Sequence, residues 1–188
     1  FDEAAYSLGM SNGYLWQSPW LRFEYSSPTT PAQTFDYDMR TRQRILRKTQ
    51  QVPSGHDASD YIVERIDAPG EDGALVPVTL LRHRNTPLDG TAPVLLYGYG
   101  SYGITIPADF RTGRLSLVDR GFIYAIADVR GSMAKGYQWY LDGKLEHKTN
   151  SFTDFIAAAE ALIAAGYTSA GRVAIHGASA GGLLVGAA

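Results

Sequence analysis

Residues 172–188 read RVAIHGASAGGLLVGAA, and the order of residue types in this stretch says most about the architecture of the chain. An apolar run precedes the pattern G-x-S-x-G at Gly177, Ser179 and Gly181, and a helix-forming run follows it. This order predicts a buried strand, a sharp turn and a helix, with the serine in a strained backbone conformation at the turn. Glycines on both sides leave room for the crowded backbone. We therefore predict that Ser179 is a nucleophile rather than an ordinary turn serine.

Two further apolar runs, PVLLY at 93–97 and FIYAIA at 122–127, are typical of strands that are buried on both faces of a sheet. A helix is predicted between the second run and the strand of the serine motif. It would begin with Ser151 and Asp154 as a capping box and end at Gly166. Buried strands that alternate with helices predict an α/β fold with a mostly parallel sheet.

The first part of the chain predicts an antiparallel β unit, because short segments rich in aromatic and β-branched residues alternate there with turn residues. These segments are LRFEYSS (21–27), AQTFDYDM (32–39) and QRILRK (43–48), and the linker QQVPSGHDASD (50–60) follows them. Asp72-Gly73 then predicts a hairpin between YIVERID (61–67) and ALVPVTLLRHR (74–84). We place a domain boundary between residues 53 and 54, so that 1–53 and 54–188 form separate units.

The composition is that of an ordinary globular protein, with 188 residues, 45% hydrophobic residues and a net charge of -2. A basic cluster alternates with polar residues and predicts the solvent face of a strand, not a nucleic-acid site; its members are Arg40, Arg42, Arg44, Arg47 and Lys48. No apolar stretch approaches the ~20 residues that cross a bilayer. We expect no nucleic-acid or membrane partner and a cytoplasmic location. The absence of cysteine excludes disulfides and thiolate catalysis, and we expect no metal or cofactor.

The glycines of YGYGSYG (97–103) follow a buried strand and have the spacing G-x-G-x-x-G. A dinucleotide-binding turn must open a helix, and ITIPADF, which comes next, is a poor helix start. A tight surface loop is the simpler alternative. The serine motif favours a third interpretation, in which the loop supplies one donor to an oxyanion, from Tyr97, Tyr99 or Tyr102. The second donor would be the backbone N–H of Ala180.

Several segments together resemble the prolyl oligopeptidase family of serine peptidases, in the form of its oligopeptidase B branch. They are LLYGYGSYG (95–103), DVRGSMAKGYQWYLDGK (128–144), KTNSFTDFIAAAEALIAAGYTS (148–169) and GASAGGLLVGA (177–187). Upstream, LRFEYSSPTTPAQTFDYDM (21–39) is similar to the last blade of that family's β-propeller, and VPSGHDASDYIVERI (52–66) to its interdomain link. The resemblance implies the end of a β-propeller domain followed by the first half of an α/β-hydrolase domain.

Carried onto this chain, the resemblance implies Ser179 as nucleophile, and the Tyr99 hydroxyl with the Ala180 N–H as oxyanion hole. It also implies substrate contacts for Tyr102 and Trp139, although plain packing explains those two residues equally well. The substrates would be short peptides. The chain departs from the branch at Ala178 and at 132–135, which read Ser, Met, Ala and Lys, so the charge preference of the pocket stays open.

In α/β-hydrolases the catalytic acid and the histidine follow the serine along the chain, and all four histidines here precede Ser179. His176 is near in sequence, but its side chain should point away from the turn. Asp128 is expected to order the next loop together with Arg130. We therefore expect the acid and the base in a further part of the protein, and no activity from this chain alone. A carboxylesterase, or a non-catalytic structural or binding module, remains an alternative.

Overall fold

The computed structural model describes residues 1–11, 13 and 15–188, which form two β-sheets and four α-helices. The first sheet is antiparallel, and its strands follow chain order. They are β1 (Ser7–Met10), β2 (Trp20–Ser26), β3 (Gln33–Asp38) and β4 (Arg44–Thr49). The sequence predicted the last three and missed β1, whose four residues include a glycine and no β-branched side chain. All residues of β4 are exposed, so the basic cluster lies on solvated surface as predicted.

The second sheet combines the predicted hairpin with the predicted parallel strands. Its strands are β5 (Tyr61–Pro69), β6 (Leu75–His83), β7 (Val94–Gly98), β8 (Ile123–Ala127) and β9 (Val173–His176), in the spatial order β5-β6-β8-β7-β9. Strand β7 pairs in parallel with both β8 and β9, which confirms the α/β prediction. The hairpin joins the sheet through an antiparallel contact between β6 and β8. The α/β sheet with flanking helices, preceded by an antiparallel β unit, is thus the predicted fold class.

Helices cover both faces of this second sheet. They are α1 (Thr112–Val118), α2 (Tyr137–Leu141), α3 (Thr149–Ala164) and α4 (Ala180–Ala187), with single 3₁₀ turns at 58–60 and 145–147. Side chains alternate along β7: Val94 and Leu96 join the core under α3 and α4, while Leu95 and Tyr97 face α1. This double burial explains why the parallel strands are apolar throughout. Among residues 1–11, 13 and 15–188, no helix is both long and apolar enough to span a membrane.

Helix α3 begins three residues earlier than the sequence predicted, because its N-cap is Lys148 and not Ser151, and the predicted capping box is wrong. Ser151 and Asp154 lie inside the first turns, and both are fully buried. Their polar atoms bind the loop that follows β8 instead of the helix's own N–H groups, because tertiary packing brings that loop against the helix. The predicted end is confirmed, since Gly166 follows the helix with φ +77°, a conformation that glycine adopts readily.

Candidate active site

The turn from β9 into α4 has the strained geometry that the serine motif predicts. Ser179 adopts φ 55° and ψ -121°, in the left-handed region that residues with a Cβ avoid, and its side chain is exposed. Gly177, two residues before the serine, has no room for a side chain, because a methyl group there would lie 2.1 Å from the carbonyl oxygen of Gly181. The hydroxyl therefore stands at the start of α4, where the helix dipole favours negative charge.

The glycine loop after β7 lies directly against this turn. A methyl group on Gly181 would lie 2.6 Å from the Gly98 carbonyl oxygen and 3.4 Å from the Tyr99 Cα. One on Gly98 would lie 2.7 Å from both Leu184 of α4 and Phe155 of α3. These contacts require glycine at both positions, and they bring the backbone of Tyr99 against the first turn of the helix that begins at Ala180.

The three tyrosines of the loop have different surroundings. Tyr97 faces α1 and packs edge-to-face on His176, with ring centroids 5.2 Å apart. Tyr102 has φ 58° and is 75% exposed, and its ring centroid lies 6.5 Å from that of Tyr99. Tyr99 and Tyr102 thus lie near each other, and Tyr102 is free to contact a substrate.

The dinucleotide interpretation of the glycine loop is wrong. Residues 104–111 contain no helix, and α1 begins only at Thr112. The Gly103 N–H donates to the Gly131 carbonyl at 2.9 Å, which ties the end of the loop to the segment after β8. No helix N-terminus follows the glycines to receive a pyrophosphate.

Trp139 lies in α2 beneath the loop and is 8% exposed. Its indole N–H donates to the Asp128 carbonyl at 2.9 Å, and the Lys135 ammonium lies 4.7 Å from the centre of its ring. With its polar atom used and its ring covered, this geometry favours packing over direct substrate contact.

Arg130 does not act with Asp128, contrary to expectation. Its guanidinium binds the fully buried Asp154 of α3 and, at 2.6 Å, the carboxylate of Asp72 in the hairpin turn. These hydrogen bonds hold the pKa of the Asp72 carboxyl below its usual range and raise that of Arg130. Arg130 thereby connects the loop after β8 both to helix α3 and to the hairpin turn at Asp72, which are distant from each other in sequence. No sequence pattern had indicated these contacts.

The carboxyl group of Asp128 instead forms no salt bridge within the part of the chain that the structure describes. The residue is 8% exposed, and its Oδ1 has no hydrogen-bond partner among the residues that the structure describes. It borders a cavity of about 380 Å³ between the two sheets, lined also by Arg65 and by residues 5–8. Burial raises the pKa of Asp128 to about 6, against the opposing and smaller effect of the Arg65 charge.

Asp128→Asn should make the folded state more stable at neutral pH. Because the pKa of Asp128 is about 6 in the folded state and 3.8 is the ordinary pKa of an aspartate, the folded state retains a proton that the unfolded state releases between these pH values. The wild type therefore loses stability as pH rises through that window, by up to about 3 kcal/mol, and the variant does not. Thermal unfolding of both proteins at pH 4 and pH 7.5 measures this. A stability difference between variant and wild type that is equal at the two pH values would contradict this prediction. Asp67→Asn is the control, because Asp67 is exposed on β5.

The surroundings of the Ser179 hydroxyl are defined within residues 1–11, 13 and 15–188. No side chain among these residues hydrogen-bonds with its hydroxyl, and His176 lies with Tyr97 on the α1 face, opposite α4. The Ser179 turn and the Tyr99 loop are therefore brought together, while His176 lies on the other face of the sheet.

Residues 108–188 match the profile of the prolyl oligopeptidase family. Dipeptidyl aminopeptidase BI from Pseudoxanthomonas mexicana is 48% identical over 187 residues, and protease 2 from Moraxella lacunata is 38% identical over 187 residues. The alignments cover 99% and 100% of this chain, but only 26% and 27% of the two relatives. The chain thus spans about a quarter of the length of these relatives.

Solved structures agree with these matches. Oligopeptidase B from Leishmania major superposes with a TM-score of 0.94 at 39% identity, covering 99% of this chain and 26% of that one. Oligopeptidase B from Trypanosoma brucei, in a closed form with covalently bound antipain, gives 0.94 at 42% identity, covering 99% and 27%. Together with the strained serine turn and the sheet order, these findings show that the chain is similar, over nearly its whole length, to about a quarter of the length of proteins of the prolyl oligopeptidase family.

Proposed function

We propose that the protein containing this chain is a serine oligopeptidase that cleaves short peptides through an acyl-enzyme on Ser179. One observation carries the proposal: the strained serine turn and the Tyr99 loop are packed against each other through Gly181. This contact brings the Ser179 turn, the start of α4 and the backbone of Tyr99 together at one edge of the sheet, which supports roles for the Ser179 hydroxyl, the Ala180 N–H and the Tyr99 hydroxyl in one site. Such a combination suits attack on a carbonyl whose oxygen becomes negatively charged.

In the proposed reaction, the Ser179 hydroxyl oxygen bonds to the carbonyl carbon of the substrate, and a histidine elsewhere in the protein takes the hydroxyl proton. The Ala180 N–H and the Tyr99 hydroxyl donate to the oxygen that becomes an oxyanion. The C–N bond then breaks, and the amine leaves with the proton from the histidine. Water attacks the acyl-enzyme in the same way, which releases the acid and restores the serine.

The cleavage preference is a separate part of the proposal. The relatives are named for different peptidase activities, among them dipeptidyl aminopeptidase and prolyl endopeptidase. Cleavage after basic residues would need a carboxylate in the pocket. The loop at 132–135 offers none, and its Lys135 covers Trp139. If the protein prefers basic residues, we propose that carboxylates outside residues 132–135 select them.

A comparison of substrates tests this function against the carboxylesterase alternative. The complete protein should hydrolyse peptide amides and peptide p-nitrophenyl esters, and a fluorophosphonate should label Ser179, as peptide mapping by mass spectrometry would show. Matched peptide pairs with arginine or proline before the cleaved bond would measure the preference. Turnover of simple esters without any turnover of peptide amides would favour the esterase, and labelling of another serine would contradict the proposal.

A further inference from the structure

The ammonium group of Lys148 lies beneath the Tyr99 loop, just before α3. It donates to the carbonyl oxygen of Gly100, to the hydroxyl of Ser101 at 3.0 Å and to that of Ser151 at 3.2 Å. An ammonium has three N–H donors, so these acceptors can use all of them. Within residues 1–11, 13 and 15–188 it forms no salt bridge, and burial lowers its pKa.

Such an arrangement is unusual for a lysine, because a half-buried charge normally gains a carboxylate partner or extends into water. Here the charge is satisfied by neutral oxygens alone, and two of the three belong to the loop after Tyr99. Charge-assisted hydrogen bonds of this kind are stronger than neutral ones. The side chain therefore holds a particular conformation of the loop rather than a neighbouring charge.

The loop needs such a restraint at Gly100. That residue has φ +69°, and a methyl group on it would lie 2.8 Å from Val129, so the backbone makes a tight turn against the segment after β8. On its other side, the Tyr99 Cα rests on Gly181 of α4. Tyr99 is thus held from two directions, by helix packing before it and by the Lys148 ammonium after it.

The ammonium is itself held in a rigid, buried setting. The Ser151 hydroxyl, which accepts from Lys148, donates to the Arg130 carbonyl at 2.6 Å. The Arg130 backbone N–H in turn donates to the buried carboxylate of Asp154 at 2.8 Å. A continuous chain of hydrogen bonds therefore runs from the core of α3 to the carbonyl group that follows Tyr99.

We propose that Lys148 is a positioning residue, which sets the Tyr99 hydroxyl for oxyanion binding by holding the Gly100 carbonyl; this inference rests on the proposed peptidase function. Loss of the ammonium leaves that carbonyl with only the Ser151 hydroxyl, at 3.4 Å, as a donor, and lets the loop adopt other conformations. The hydroxyl then points less often at the developing oxyanion. Ground-state substrate binding does not use this hydroxyl, so KM should change little.

Lys148→Met in the complete protein should lower kcat for a peptide substrate by about 10- to 100-fold, because small displacements of a preorganised group have effects of this size. KM should stay within about twofold of the wild-type value, which is the pattern for loss of an interaction made only in the transition state. The matched control is Lys144→Met, whose ammonium lies 4.7 Å from the ring of Tyr140 and makes no hydrogen bond to the loop. That variant should keep wild-type kcat.

A double-mutant cycle with Tyr99→Phe decides whether Lys148 acts through the tyrosine. If it does, Lys148→Met should have almost no further effect on kcat in the Tyr99→Phe background. Equal fold-losses in both backgrounds would overturn the proposal, as would an unchanged kcat in the single variant. Circular dichroism and thermal unfolding check the fold, and Lys148→Gln enters the same cycle if the methionine variant does not fold. A different result would contradict the proposed peptidase function itself, namely retained peptidase activity in the Ser179→Ala variant.

Discussion

The Ser179→Ala variant of the complete protein should hydrolyse peptides about 10⁵- to 10⁶-fold more slowly than the wild type, as expected for loss of a serine nucleophile. The serine is exposed, and no side chain of the described residues hydrogen-bonds with its hydroxyl. Removal of that hydroxyl should leave substrate binding nearly unchanged. Single-turnover measurement of kcat, together with KM, checks this result.

Ser116→Ala is a suitable control for this experiment, because Ser116 is exposed on α1 and lies on a helix that faces away from α4. It should retain full activity. A Ser179→Ala enzyme that turns over peptides at a rate near that of the wild type would remove the proposed mechanism. Loss of fluorophosphonate labelling in Ser179→Ala, but not in Ser116→Ala, should accompany the loss of activity.

Tyr99→Phe should lower kcat by about 10²- to 10³-fold, because it removes one of the two proposed donors to the oxyanion. The aromatic ring remains, so packing near Tyr102 should be preserved. KM should change much less than kcat, since the hydrogen bond forms in the transition state. Steady-state kinetics on a peptide amide measures both constants.

Tyr137→Phe is the matched control, because this tyrosine is 61% exposed on α2. It should behave as the wild type. A rise in KM without a change in kcat for Tyr99→Phe would identify the tyrosine as a binding residue and would leave the second oxyanion donor to another group. The same outcome would also remove the premise of the Lys148 cycle.

Local patterns predicted most of the elements in this chain. Alternating or continuous apolar runs predicted eight of the nine strands found among the described residues, and the serine motif predicted the turn before α4. Both patterns depend only on residues that are close together in the sequence, so they can be recognised without knowledge of the tertiary structure. Helices α1 and α2 were missed, since α1 contains a glycine, α2 has three aromatic side chains among its five residues, and neither has a side-chain cap.

Interactions of charged and polar side chains were predicted poorly. Asp154 was predicted to cap a helix, and Arg130 was predicted to act with Asp128. In the structure Arg130 and Asp154, 24 positions apart in the chain, bind each other. In the structure, the Oδ1 atom of Asp128 has no hydrogen-bond partner among the described residues, and no role was predicted for Lys148. Such partnerships depend on which loops meet in space, and one residue type suits many partners, so a linear pattern does not select among them.

The amino-acid sequence alone was sufficient to predict the strained serine, the glycines beside it and the parallel strands, because each follows from steric and hydrophobic demands on neighbouring residues. Only the tertiary structure inserted β8 between β6 and β7, and only it pressed the Tyr99 loop onto Gly181 and over the Lys148 ammonium. The physical reason is the same in each case: these contacts join segments tens of residues apart. Their free energy depends on the burial and geometry of the assembled core, which no local pattern contains.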